Sequence, residues 1–249
     1  MVARKRPSRG AGRGAGRDAS TSTTHPPAPN PGTHDAHAPA ADPSTEPVYF
    51  WRVSESETGF LSQWYRAPFR DRSDPSRTYP TAEHYMMYHK AVLFGDLAIA
   101  GRILAAGDPR EVRALGRAVA HFDAAVWKRE RERVVREANW CKFSLPASSP
   151  GEEEEGGSDE AETKLRDALL ATGDRPLVEA SPFDRIWGIG FRAANAERNR
   201  PRWGLNLLGK CLMEVREQVR REDQERGEER MHDAGSESIR REYWGPQDI

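Results

Sequence analysis

A mainly α-helical domain with a few short strands is the fold this sequence predicts, and three observations lead there. Helix-start residues stand ahead of helical runs at Thr81, Asp108 and Asp123. The apolar extended runs are short, as in Val48-Tyr49-Phe50-Trp51. Leu205, Leu208, Leu212, Val215 and Val219 recur as the apolar stripe of one last helix.

The strand-like pieces come first. Val48–Trp51 reads as a buried strand, and Phe60-Leu61-Ser62-Gln63-Trp64-Tyr65 and Ala67-Pro68-Phe69 as extended pieces. Gly59, Pro68 and the polar turn Asp71–Ser76 separate them. From Thr81 the chain turns helical, with Glu83 in the first turn, where the helix dipole favours a carboxylate; the helix runs to about His89, and Gly95 is a break. Asp108-Pro109-Arg110-Glu111 starts a second helix, with Asp at the cap, Pro at the first helical position and Glu reaching back. A third follows Asp123, because Trp127, Val134, Ala138 and Cys141 recur at helical steps. Residues 144–163 are dense in Asp and Glu amid Gly, Ser and Pro, and read as a solvated loop inserted between helices. Leu165, Leu169 and Leu170 restart a helix that Gly173 ends, Pro176–Ala180 is extended, and Asp184–Phe191 is an aromatic, glycine-rich loop.

The 249 residues carry 38 Lys+Arg against 39 Asp+Glu, a formal net charge of -1, so no global field draws in polyanions. Hydrophobic residues make up 37%, below the usual level of about 45–50%, so part of the chain lies outside any core. Residues 1–46 supply much of that deficit and read as a disordered tail. Its basic opening, Arg4 to Arg17, fits a nucleic-acid arm, a targeting segment or a plain soluble tail; Gly and Pro spoil the amphipathic helix that targeting needs. The folded unit is expected over 47–222 as a single domain, with the acidic insertion at about 144–163 and a charged tail over 223–249. Cys141 and Cys211 form neither a CxxC pair nor a disulfide framework, which points to a reduced intracellular, cytoplasmic compartment with buried thiols. No apolar run approaches the ~18 residues of a membrane span, and no short apolar core follows the basic start as a signal peptide requires.

The common nucleotide, metalloprotease and hydrolase motifs are absent. Three clusters remain. In a helix, Glu83 and Lys90 project from nearly the same face with Met87 between them, an acid and an amine placed to perturb each other's pKa. The same pair also fits a dipole-stabilising Glu and a solvent-facing Lys on a surface helix. His84 and His89, five apart, do not share a face and are not a metal pair. Trp127, followed by Lys128, Arg129, Arg131 and Arg133, fits a base-stacking wall or a core indole on a basic helix. In the third cluster, Asp184 can accept from ribose hydroxyls beside Trp187, or the loop is a tight turn around a buried indole.

Taken in order, Tyr79-Pro80-Thr81-Ala82-Glu83-His84-Tyr85, the Trp127 helix, Leu169–Gly173, Leu177-Val178-Glu179, Asp184 with Trp187-Gly188, and Asn206–Arg216 resemble the blocks of the NADAR (YbiA-like) family. Phe60–Tyr65 is similar to that family's Leu-Ser-Asn-Phe block, with Gln63 and Trp64 in place of Asn and Phe. The resemblance implies a compact helical domain that hydrolyses N-glycosidic bonds. Its substrates would be ribosylaminopyrimidine phosphates of the riboflavin pathway or ADP-ribosylated guanine, whether a small nucleotide or a base in nucleic acid. It implies Glu83, Asp184 and Lys90 as catalytic residues and Trp127, Trp187, Tyr85, Gly188 and Asn206 as substrate-binding ones, with no metal and no cofactor. Breaking C1′–N puts positive charge on the sugar, which a carboxylate such as Glu83 could stabilise, or Lys90 could attack the sugar and form a Schiff base. A non-catalytic module that binds ADP-ribose or NAD is the competing class.

Overall fold

In the computed structural model the described residues are 45–147 and 157–243. Residues 1–44 of the expected N-terminal tail, 148–156 of the acidic segment and 244–249 of the C-terminal tail lie outside them. The strands are β1 (Val48–Phe50), β2 (Phe69–Arg70), β3 (Thr78–Tyr79) and β4 (Leu177–Glu179). The helices are α1 (Ala82–Leu93), α2 (Leu97–Ala105), α3 (Pro109–Arg117), α4 (Ala124–Ser144), α5 (Gly157–Leu170), α6 (Ala193–Ala196) and α7 (Leu207–Tyr243). The expected helical class holds.

The three starts read from the sequence are real caps. The Thr81 side chain accepts from the His84 N–H, Asp108 from that of Arg110, and Asp123 from those of Ala125 and Val126, each satisfying donors that a helix start leaves unpaired. Helix α2 is an addition. Asp96 caps it through the Ile99 N–H just after Gly95 (φ 74°), so the glycine that reads as a break is the joint between two helices. Residues 59–61 form a 3-10 turn rather than an extended piece. Residues 157–163, expected in the acidic loop, belong to the backbone of α5. The last helix starts at Leu207, leaving Leu205 half exposed at 49%, and its backbone continues to Tyr243, through much of the stretch expected as a charged tail. Arg166 on α5 pairs with Asp223 at 2.7 Å, and the Trp140 indole N–H donates to Glu222 at 2.9 Å, which fastens that stretch to the domain.

Helix α1 is the centre of the fold. It packs against α2, α3 and α4, while α4 packs on α7 and α7 on β4. Tyr79, Phe69, Phe143 and Leu212 are among the fully buried side chains, each worth about 1.5–3 kcal/mol of burial. Both cysteines are buried and unbridged, and burial pushes their thiols up to about 12. Two strand pairs frame the helices. β1 runs parallel to β4, pairing Phe50 with Glu179, and β2 is antiparallel to β3. The parallel pair joins the start of the domain to a strand that follows five helices, and so carries Glu179 and the loop after it to the end of α1. No helix among the described residues is long and apolar enough to cross a membrane.

Candidate active site

Burial of α1 on most of its faces decides between the two readings of its charged pair. Glu83 is 6% exposed and Lys90 9%, so neither is a surface residue. Glu83 occupies the first turn, its N–H donating to Gln63 O at 3.0 Å and its carboxyl hydrogen-bonded by the Trp64 side chain. Burial pushes the carboxyl up to about 7; Asp184 raises it further, while Arg113, the Trp64 bond and Arg117 pull the other way. Two turns along, Lys90 Nζ donates to Gly116 O at 2.6 Å and lies 4.3 Å from the Phe122 ring and 5.8 Å from that of Trp127. Desolvation lowers its pKa, and the Glu83 charge acts against that fall.

Close approach of α3 makes this arrangement possible. A Cβ at Gly116 would collide with Met87 Sδ, so the glycine lets the α3 backbone lie on α1 and present its carbonyl to Lys90. The loop carrying Gln63 and Trp64 is held from behind by Lys142, a buried amine donating to Phe60 O at 2.6 Å and Ser62 O at 3.1 Å. Burial lowers Lys142 to about 7.

The opposite wall comes from β4 and the loop after it. Asp184 Oδ1 accepts from the backbone N–H groups of Ile186 (2.7 Å) and Trp187 (2.8 Å). The loop then returns to the strand, where Ile189 N–H donates to Glu179 O at 2.9 Å. Gly188 permits that return, since a Cβ there would sit 2.7 Å from Glu179 O. The strand adds a carboxylate that sequence reasoning missed. Burial pushes Glu179 up to about 8, with Asp184 and Glu83 raising it further, and its Oε2 is buried without a hydrogen bond. Arg113 and Arg117, four apart on α3 and both exposed, form no ion pair among the described residues yet act on Glu83 through space. The sequence signal for Glu179 was a carboxylate closing an otherwise apolar strand; Arg113 and Arg117 read only as helix charges.

Trp127 and Trp187 are half-buried and pack on the main core, and Arg131 lies 5.9 Å over the Trp187 ring. The structure therefore brings together Glu83, Lys90, Asp184, Trp127 and Trp187. It does not bring in Tyr85 as a substrate contact. Two residues beyond Glu83, the helix has turned by roughly 200°, and Tyr85 is 4% exposed in the aromatic core, stacked on His89 at 4.1 Å. Gly188 serves loop packing. Asn206 is also committed elsewhere, because Nδ2 donates to Leu177 O (2.9 Å) and Oδ1 accepts from Glu179 N–H (3.0 Å). It is a positioning residue for β4, at a left-handed φ of 51° that Asn tolerates. Asn206→Ala should cost about 3 kcal/mol, from unpaired backbone groups and a strained φ, read by chemical denaturation. An unchanged midpoint would free Asn206 for a ligand role. His84 is fully buried, hydrogen-bonded to Thr81 Oγ1 (2.8 Å) and Ala106 O (3.1 Å), as expected of a core histidine. No group of His, Cys, Asp and Glu among the described residues is arranged to hold a metal ion.

Residues 49–220 match the model of the NADAR domain. N-glycosidase R617 of Acanthamoeba polyphaga mimivirus is 36% identical over 179 residues, 69% of this chain and 95% of that protein. N-glycosidase Npun_R5314 of Nostoc punctiforme is 38% identical over 140 residues, 56% of this chain and 74% of that protein. Among solved structures, the NMR structure of the E. coli protein YbiA superposes with a TM-score of 0.51 at 28% identity, covering 72% of this chain and 88% of that one.

Proposed function

Because the chain belongs to the NADAR domain family, we propose that it is an N-glycosidase that hydrolyses the C1′–N bond of a ribosylated or ADP-ribosylated base. One observation carries this reading: a buried carboxyl, raised to about 7, at the head of α1 beside a buried amine and an indole. A glycosidic nitrogen is a poor leaving group until it is protonated. An acid whose pKa lies near the working pH is suited to that donation, and one held at 4.5 is not.

Glu83 gives its proton to the leaving nitrogen as C1′–N breaks, and positive charge spreads over C1′ and the ring oxygen. The lone pair of Lys90 Nζ forms a bond to C1′, and the C1′–O4′ bond breaks as a proton passes from Nζ to the ring oxygen, giving a protonated imine. Water adds to C1′ while the Glu83 carboxylate takes a proton from it. The new C1′ hydroxyl passes its proton to Nζ as the C1′–Nζ bond breaks and the amine leaves, and the sugar hydroxyl closes back onto C1′. The net change is one water across the C1′–N bond. Asp184, with Oδ1 fixed by two backbone N–H groups, offers Oδ2 to the ribose hydroxyls. Arg113 and Arg117 face the phosphate that both substrate types carry, and Trp127 stacks on the departing ring.

Incubation with ADP-ribosylated guanosine and with ribosylaminopyrimidine phosphate, side by side, tests this reading. Chromatography should show free base released from one of them. Stoichiometric binding with no base released would replace the enzyme by an ADP-ribose-binding module.

A further inference from the structure

The end of β1 opens onto a cavity of about 420 Å³ that the chemistry above leaves unused, lined by Trp51, Arg52, Glu55, Ala180 and Arg192 among others. The Arg52 guanidinium lies 4.4 Å above the Trp51 ring and that of Arg192 5.7 Å from it. Their backbone carbonyls accept from Glu55 N–H and Asn195 N–H, but neither guanidinium has a hydrogen bond or ion pair among the described residues. Phe183 stands beside them, 82% exposed, its ring 6.0 Å from that of Trp51 at 57°. Folding gains little from a phenylalanine left this bare. Glu55 accepts from the Trp51 N–H (2.8 Å) and the Thr58 hydroxyl (3.2 Å) through Oε2, leaving Oε1 as an acceptor.

Two aromatic rings, two un-neutralised guanidiniums and one acceptor suit a flat heteroaromatic ring that carries a phosphate and hydroxyls or an amine. The volume suits one nucleotide and falls within the range of small-molecule sites. Its position matters as much. Ala180 follows Glu179 and Phe183 precedes Asp184, so the cavity adjoins the wall that supplies both carboxylates.

We propose that this cavity binds a nucleobase with its 5′-phosphate, as a second anchor for a substrate whose glycosidic bond lies at Glu83. The role of anchor rests on the glycosidase reading; the binding itself does not. Such a nucleotide has two sources, the far half of a dinucleotide-like substrate or the neighbouring residue of a nucleic-acid strand.

Titration calorimetry on the full chain tests it, with AMP, ribose 5-phosphate and a short single-stranded oligoadenylate as probes. AMP should bind more tightly than ribose 5-phosphate. Trp51→Ala should weaken AMP by about tenfold or more, and Trp51→Phe should recover most of the loss. Arg52→Ala with Arg192→Ala, both exposed and safe for folding, should weaken AMP and ribose 5-phosphate alike. Binding of AMP should survive Glu83→Gln. An oligoadenylate that binds tighter than AMP and weakens steeply with salt identifies the strand as the source; parity with AMP identifies the dinucleotide. No AMP binding at millimolar concentration, or equal binding by wild type, Trp51→Ala and the double arginine variant, overturns the proposal. Absence of base release with Trp51-dependent AMP binding intact would remove the glycosidase reading and leave this site standing.

Discussion

Glu83→Gln is expected to lower kcat/KM for base release by about 10²–10⁴-fold while making the protein more stable above neutral pH. The amide keeps the shape of the side chain and can still accept from Trp64, but it cannot give a proton to the leaving nitrogen. The stability change follows from linkage. With the carboxyl raised from 4.5 to about 7 in the folded state, the folded protein binds more protons than the unfolded chain across that interval. Stability from this group is full below about 4.5 and falls as pH rises through about 7. The Gln variant lacks that fall, and at pH 8 should be more stable by on the order of 3 kcal/mol. Glu179, raised to about 8 mainly by burial and in part by the Glu83 charge, keeps a pH dependence of its own in the variant, lessened by the loss of that charge. Activity lost through misfolding would lower stability, so opposite signs in denaturation and turnover separate chemistry from damage. Retained turnover in a folded Glu83→Gln protein would remove the acid from the mechanism.

Borohydride added during turnover is expected to leave a reduced sugar on Lys90, located by peptide mass. Burial of this amine, under 10% exposed, disfavours its charged form and makes its lone pair more available, while the Gly116 carbonyl and the two aromatic rings hold it in place. Lys90→Arg keeps a cation in the same place but cannot form the imine. It should therefore cost about as much as Lys90→Met, a loss of about 10³-fold or more. Base release with no trapped adduct, or activity rescued by Arg, would assign the attack on C1′ to water and leave Lys90 a neighbouring charge.

Both residues were legible because a helix is local. Thr81 as a cap fixes the phase of α1, and the spacing from Glu83 to Lys90 then puts both on one face whatever else the fold does. What spacing could not show is that this face is buried, because that depends on α3 and α4, brought in from elsewhere in the chain. Glu179 was hidden for the same reason. It becomes part of a site only when β4 pairs with β1 and the loop at Asp184 folds back over it, an arrangement set by Asn206 and Gly188 from different segments. Tyr85 shows the opposite error. It stands in the same block as Glu83, but a shared block is not a shared face, and its ring belongs to the cluster of Phe69, Tyr79 and His89. Helix α2 escaped notice because its residues are apolar on most sides, with Gly101 inside, so no stripe marks it.

Carbon-13 NMR titration of the Glu83 carboxyl, set beside the pH dependence of base release, tests the central claim most directly. That carboxyl should titrate near 7, coupled to Glu179, and the rate should fall on its alkaline side with the same midpoint. A carboxyl titrating near 4.5, or a rate that does not change as it ionises, would contradict it.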